Sequence, residues 1–224
     1  AGSSTGLDAP VVGLAMTSDG HGYWEVSSDG GVFSFGDAAF HGSTGGITLN
    51  RPIVGMAADP ATGGYWLVAS DGGVFAFDAP YLGSMGGQRL NQPVVGIAAA
   101  ANGQGYWLVS RDGGVFSFGT AAFHGSTGGI TLNRPVVGIT TDQATGGYWL
   151  VASDGGVFAF DAPYLGSTGG QALAGPIVGM ASDPATGGYW LAGSDGGVFA
   201  FDAPYLGSLG TDPPAHPVVG IVAS

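Results

Sequence analysis

Apolar residues along this chain fall into short blocks, separated by polar or glycine-rich positions, and the blocks recur in a fixed order. First comes Pro-Val-Val-Gly-Ile-Ala, as at Pro93–Ala98, then Tyr-Trp-Leu-Val-Ala, as at Tyr65–Ala69, then Val-Phe-Ala-Phe, as at Val74–Phe77. Blocks of this length, bounded by turn residues, read as β-strands, and no stretch sustains a helical period. Ser70-Asp71-Gly72-Gly73 separates the second block from the third. Asp-Gly supplies the positive φ that a tight hairpin needs, so these two blocks are expected to pair. A weaker fourth strand is expected near Tyr81-Leu82-Gly83-Ser84.

The whole order repeats. Units open at Pro10, Pro52, Pro93, Pro135 and Pro176, 41 or 42 residues apart, and a sixth opening at Pro217 runs to Ser224. Four short antiparallel strands in a unit of about 42 residues are the signature of a propeller blade. The blocks are apolar at successive positions, as in Tyr65-Trp66-Leu67-Val68. Such strands bury both faces, which a sheet between two neighbouring sheets does and a sheet with one wet face does not. The expected fold is all-β, a five-bladed β-propeller of four-stranded repeats at 10–51, 52–92, 93–134, 135–175 and 176–216. A β-solenoid is the alternative, although its coils are usually shorter. Ala1–Gly6 resembles the fourth-strand tail Gly125–Gly129, and Pro217–Ser224 repeats a first strand. Segments 1–9 and 217–224 are therefore expected to lie together and close the ring. Exchange between chains and a longer array are the competing arrangements.

Composition narrows the partners. Hydrophobic residues make up 45% of the chain, enough for a core, while charged residues are only 9%. Net charge is -12 and Lys is absent, the four bases being Arg51, Arg89, Arg111 and Arg134. Binding phosphates takes a basic stripe, so neither nucleic acid nor an anionic membrane surface is an expected partner. No apolar run approaches the ~20 residues of a membrane span. Cys is absent, which rules out disulfides and thiolate metal sites and leaves the compartment open. Ala1–Pro10 does not read as a signal peptide.

The opening of each unit, such as Pro52–Ala57 followed by Gly64–Val68, resembles the blades of NHL and related propellers. The fuller Gly64–Phe77 motif, Gly-Tyr-Trp-Leu-Val-Ala-Ser-Asp-Gly-Gly-Val-Phe-Ala-Phe, is similar to repeats of secreted actinobacterial proteins. In those proteins the repeats often accompany cell-wall or polysaccharide hydrolase domains, which this sequence lacks. The resemblance spans nearly the whole chain and brings no catalytic motif with it. It implies an extracellular or cell-wall-associated recognition module, with a glycan or wall polymer, or a protein, as partner.

Candidate binding residues follow from recurring aromatics. Trp24, Trp66, Trp107, Trp149 and Trp190 hold one position in every unit, each after a Tyr. Successive strand residues point to opposite faces, so one ring of each pair could stack on a sugar while the other packs between blades. Core packing is the stronger expectation for most of them. Tyr81, Tyr164 and Tyr205, with Phe40 and Phe123 in the same place, sit near the fourth block and could line grooves between blades. His41 and His124 follow those Phe residues in units one and three.

Other residue types point less far. Asp29, Asp71, Asp112, Asp154 and Asp195 could offer oxygen ligands to Ca²⁺, but Asp before Gly-Gly more simply initiates the turn. The same turn role is expected of Asp37, Asp78, Asp161 and Asp202. No His/Asp cluster shows metal-ligand spacing, and no cofactor is expected. Gly-Ser-Thr-Gly-Gly lacks the Lys of a phosphate loop. A glycosidase needs two carboxylates in different environments, which near-identical repeats do not provide. The exceptions are Glu25, the one Glu, standing where other units carry Leu, and Arg111, standing where they carry a small residue. The sequence thus reads as a non-catalytic binding module, ahead of a protein-interaction scaffold and of a hydrolase built on Glu25.

Overall fold

The computed structural model describes residues 9–210 and 212–223. It contains five antiparallel three-stranded sheets, one per repeat, and no helix among the described residues. Blade one is β1 (Val11–Met16), β2 (Gly22–Ser27) and β3 (Val32–Gly36); blade two is β4 (Ile53–Ala58), β5 (Tyr65–Ala69) and β6 (Val74–Phe77). Blade three is β7 (Val94–Ala99), β8 (Gly105–Ser110) and β9 (Val115–Gly119). Blade four is β10 (Val136–Thr141), β11 (Tyr148–Ala152) and β12 (Val157–Phe160), and blade five is β13 (Ile177–Ser182), β14 (Tyr189–Gly193) and β15 (Val198–Phe201). The chain is a five-bladed β-propeller.

Each hairpin turn forms as its residues dictate. Gly72 takes φ of +79°, and the Asp71 carboxylate accepts the Gly73 N–H at 3.0 Å. Asp154 and Asp195 accept the matching N–H groups in blades four and five, so these aspartates are turn formers. In blade one the Ser27 hydroxyl and the Gly31 N–H hold the Asp29 carboxyl below its ordinary pKa.

The innermost strands β1, β4, β7, β10 and β13 stand side by side around a channel of about 640 Å³. Each carries a mid-strand glycine, and these stack from blade to blade. A Cβ built on Gly55 would lie 3.9 Å from the Cα of Gly96, and one on Gly138 3.9 Å from that of Gly179.

Between blades lie the cores. Every buried cluster joins two consecutive sheets: Trp24 and Val26 meet Tyr65 and Leu67, Trp66 and Val68 meet Tyr106 and Leu108, and the next two joints repeat the pattern. The Trp face of one blade thus covers the Tyr face of the next, at ring centroid distances of 5.2–5.4 Å.

The expected fourth strand does not form. Its backbone groups are taken by a side chain of the following blade. The Tyr106 hydroxyl donates to the Gly83 carbonyl at 2.6 Å and accepts the Leu82 N–H at 3.3 Å. Tyr65, Tyr148 and Tyr189 hold the equivalent loops of blades one, three and four in the same way. Gly83 sits at φ +127° with the Phe118 ring against it, a place a side chain would fill. These loops need no ladder partner, so the chain stays irregular there.

Of the two terminal segments expected to close the ring, residues 1–8 lie outside the described residues. Residues 217–223 run along the channel wall beside β13. The Val218 N–H donates to the Ser194 carbonyl at 2.9 Å, the bond that Ile53, Val94, Val136 and Ile177 make to the blade before them. A Cβ on Gly179 would lie 3.7 Å from the Gly220 Cα, and one on Gly220 3.3 Å from the Leu14 side chain. The segment therefore takes a sixth innermost position between blades five and one.

Four outcomes follow from these contacts. Tyr106→Phe leaves a buried carbonyl and amide unpaired and lowers stability by about 1–3 kcal/mol in urea at neutral pH, whereas Trp149→Ala costs about 3–5 kcal/mol. Burial also pushes the Tyr106 hydroxyl up to about 12 and raises Tyr65, Tyr148 and Tyr189. The unfolded chain releases these protons near pH ~10, so their contribution is complete below that pH and is lost as pH climbs toward about 12. Urea midpoints measured from pH 9 upward (roughly the onset of tyrosine ionisation) will fall, and Tyr106→Phe will flatten the fall. Deleting 217–224 lowers the melting temperature by several degrees or causes aggregation; an unchanged melt would show that the segment carries no load.

Candidate functional site

Exposure sorts the candidate residues into two sets. Trp24, Trp66, Trp107, Trp149 and Trp190 are all buried, so none can stack on a ligand; this corrects their place among the binding candidates. Their indole N–H groups are also engaged, each donating to a loop carbonyl of its own blade, from Trp24 to Ala39 at 2.7 Å through Trp190 to Pro204 at 2.8 Å. Nor does each pair keep one ring in solvent: Tyr65, Tyr106, Tyr148 and Tyr189 are buried as well, and only Tyr23 in blade one is exposed.

Phe40, Tyr81, Phe123, Tyr164 and Tyr205 form the second set. They occupy one loop position in each of the five blades and are 60–64% exposed. The loop is fixed from both sides. The blade's own Trp binds the carbonyl of the residue before the aromatic, and in the first four blades the next blade's Tyr binds the two residues after it. The ring is therefore held outward on a rigid base. The Tyr81 hydroxyl lies 3.1 Å from the Ser84 hydroxyl, and Tyr164 meets Ser167 in the same way.

His41 and His124 are half-buried at the joints of blades one with two and three with four. His41 Nδ1 is 3.2 Å from an Asp78 oxygen, and His124 Nδ1 is 2.9 Å from an Asp161 oxygen. The imidazoles also meet Tyr65 and Tyr148 edge-on. Asp78, Asp161 and Asp202 end their third strands at φ near +50°, the left-handed turn geometry that Asp tolerates. Units two and four place Leu82 and Leu165 where His41 and His124 stand, so the histidines act first as joint-fillers with a carboxylate neighbour.

A groove of about 410 Å³ opens between blades one and two, lined by Asp19, Trp24, Asp37, His41, Asp59 and Thr62 among others. Asp19 and Asp37 of this groove come together with His21, the ligand atoms of the three lying within 4.8 Å of one another. This corrects the expectation of no His/Asp cluster. The contact joins a β-turn to the end of β3, and no sequence spacing announces it. The Thr17 hydroxyl and the His21 N–H hold Asp19 below its ordinary pKa. All three residues are exposed; as they stand they could offer a cation three ligand atoms and little enclosure. Blade three carries Asn102, Gln104 and Thr120 in the corresponding places.

Glu25 lies half-buried on β2, opposite Leu14 and Phe33. Among the described residues, the axial channel is lined by Gly, Ala, Val, Met, Thr and similar residues, with no charged side chain. Among the described residues, no helix is long and apolar enough to cross a membrane.

No protein-family model matches the chain, and no curated protein matches it. Solved structures do. The β-propeller domain of Myceliophteria thermophila Cps50 (Swd1) aligns at a TM-score of 0.57 and 11% identity, over 89% of this chain and 72% of that one. A structural genomics protein of unknown function from Bacteroides thetaiotaomicron VPI-5482 aligns at a TM-score of 0.64 and 11% identity, over 98% of this chain and 66% of that one. At such identity the likeness speaks for architecture alone, and that architecture is the β-propeller.

Proposed function

We propose that this propeller is a non-catalytic binding module, extracellular or wall-associated, that recognises a repetitive glycan or cell-wall polymer. The observation that carries the reading is the set of five exposed aromatics, Phe40, Tyr81, Phe123, Tyr164 and Tyr205, one per blade at the same loop position. An exposed ring offers a flat apolar face with a polar tip in the tyrosines, the form that sugar faces accept. Five weak equivalent contacts on one rigid ring give avidity on a repeating surface without any strong single site. Net charge of -12 with 9% charged residues suits a neutral polymer better than an anionic one. Near-identical repeats give their carboxylates near-identical surroundings, which supports the non-catalytic part of the reading. So does the Gly-Tyr-Trp-Leu-Val-Ala-Ser-Asp-Gly-Gly motif, through its resemblance to repeats of secreted wall-associated proteins.

A protein-interaction scaffold is the second reading. Ile47 and Ile130, 59% and 62% exposed a few residues beyond Phe40 and Phe123, favour it, because aliphatic side chains suit a protein surface better than a sugar.

The two readings separate on a glycan array and an insoluble-polysaccharide pull-down. The expected result is retention on at least one polymer, reduced about tenfold or more in the combined Tyr81→Ala, Tyr164→Ala and Tyr205→Ala variant through lost stacking and avidity. Its melting temperature should stay close to that of the parent, since the rings are exposed. Absence of binding to every arrayed glycan, with capture of one protein from culture supernatant, would move the assignment to the scaffold.

A further inference from the structure

Four joints between consecutive blades define what each blade face takes. The Trp face contributes Trp and Val, and the Tyr face contributes Tyr, Leu and two Phe rings. The arriving Tyr hydroxyl binds the loop before it, and an arriving Phe ring closes over that loop's glycine: Phe77 on Gly42, Phe118 on Gly83, Phe160 on Gly125, Phe201 on Gly166.

Between blade five and blade one both halves of such a joint are present, and among the described residues neither is filled. On blade five, Gly207 has nothing within 4 Å of its missing Cβ, and Leu206 is 81% exposed. On blade one, Tyr23, Phe33 and Phe35 are exposed, where Tyr65, Tyr106, Tyr148 and Tyr189 are fully covered. Tyr23 stacks instead on its own Phe35 at 4.8 Å. Val218–Ala223 spans the distance between the two blades along the channel, in the place of an innermost strand. Among the described residues no strand pairs with it. The opening is thus one blade wide, with the first strand of that blade already laid.

We propose that this opening is a docking site for one further unit of the same repeat, whose Tyr-Trp and Val-Phe strands would pair as a hairpin along the free edge of Val218–Ala223. Strand addition supplies the backbone hydrogen bonds, and the two open faces supply the pockets. The incoming Tyr would bind Leu206 and Gly207, its Phe would close over Gly207, and the loop of the incoming unit would receive the Tyr23 hydroxyl. The site has a preference of its own. Glu25 stands where Leu67, Leu108, Leu150 and Leu191 pack, so the unit accepted best carries a hydrogen-bond donor in place of the Val that meets those leucines. A buried carboxylate without such a partner is costly.

The test uses the full chain in two arms. A labelled peptide with the sequence of residues 146–170 is titrated in trans, and separately the sequence of residues 183–216 is appended after Ser224. Expected are saturable one-to-one binding of the peptide and binding about tenfold tighter to the Glu25→Leu chain, where the charge is no longer buried. The appended chain should melt several degrees higher than the parent, with slowed hydrogen exchange at Val218–Ala223. A scrambled peptide and a scrambled appendage should do neither. If the appended unit changes neither the melt nor the exchange, the proposal fails, whatever the peptide does. It fails too if the parent chain is already a dimer by light scattering with Val218–Ala223 protected, for then a second copy is the occupant. The glycan reading is untouched by either result, because it is read on Tyr81, Tyr164 and Tyr205.

Discussion

One tyrosine hydroxyl per joint organises this molecule. A three-stranded sheet made of Tyr-Trp-Leu-Val and Val-Phe-Ala-Phe has two apolar faces, and neither can stay in water. At the four joints the neighbouring sheet covers these faces, but apolar contact alone is indifferent to sliding and rotation. The Tyr65, Tyr106, Tyr148 and Tyr189 hydroxyls remove that freedom, because each must find a carbonyl and an amide on the blade before it. A buried hydroxyl without partners would be destabilising, so the register of one blade on the next is set by a group that cannot go unsatisfied. Stability is then close to a sum of blade terms and nearest-neighbour joint terms, as in other repeat architectures.

The same joints decide what is left for function. Apart from Tyr23, the Trp and Tyr of each pair are used up in packing and in holding loops, so most of the rings with the greatest binding potential in the sequence are withdrawn from the surface. What remains outside is the aromatic at the loop apex. Its position is fixed by hydrogen bonds to its neighbours' backbone, and its identity is free. Phe and Tyr both occur there, and both project by the same amount. A surface built this way is rigid before any ligand arrives, which lowers the ordering cost of binding.

Much of the fold was legible in local pattern. β5 and β6 fall on the residues that block length and the Asp-Gly turn mark out, because a hairpin is decided within a dozen residues. The loop at Tyr81–Ser84 was misread as a strand because its partner, Tyr106, lies 24 residues from Leu82 and acts through a side chain, which no period in the sequence reports. The faces taken by Trp and Tyr were legible as opposite, but whether each face met water depended on the presence of a neighbour. Tyr23 and Tyr65 both stand in Gly-Tyr-Trp-x-Val, yet Tyr23 is exposed and Tyr65, with the Trp face of a preceding blade against it, is buried. The meeting of Asp19 and His21 with Asp37 is likewise a property of how a turn and a strand end are brought together in space.

Units one and three are a residue longer than units two, four and five between the Trp and the next unit's proline. The addition falls at the end of the third strand, where Gly36 and Gly119 turn with positive φ, and beyond it Trp24 and Trp107 grip their loops at Ala39 and Ala122 just as Trp66 grips Pro80. A change of length is absorbed there before the next contact is made. Because the joint reads backbone atoms, the side chains at the apex and beside it can change from Phe-His to Tyr-Leu without disturbing the neighbour. The scaffold therefore leaves each blade's apex open to its own drift, and a ring of near-identical modules can diversify what it recognises one blade at a time.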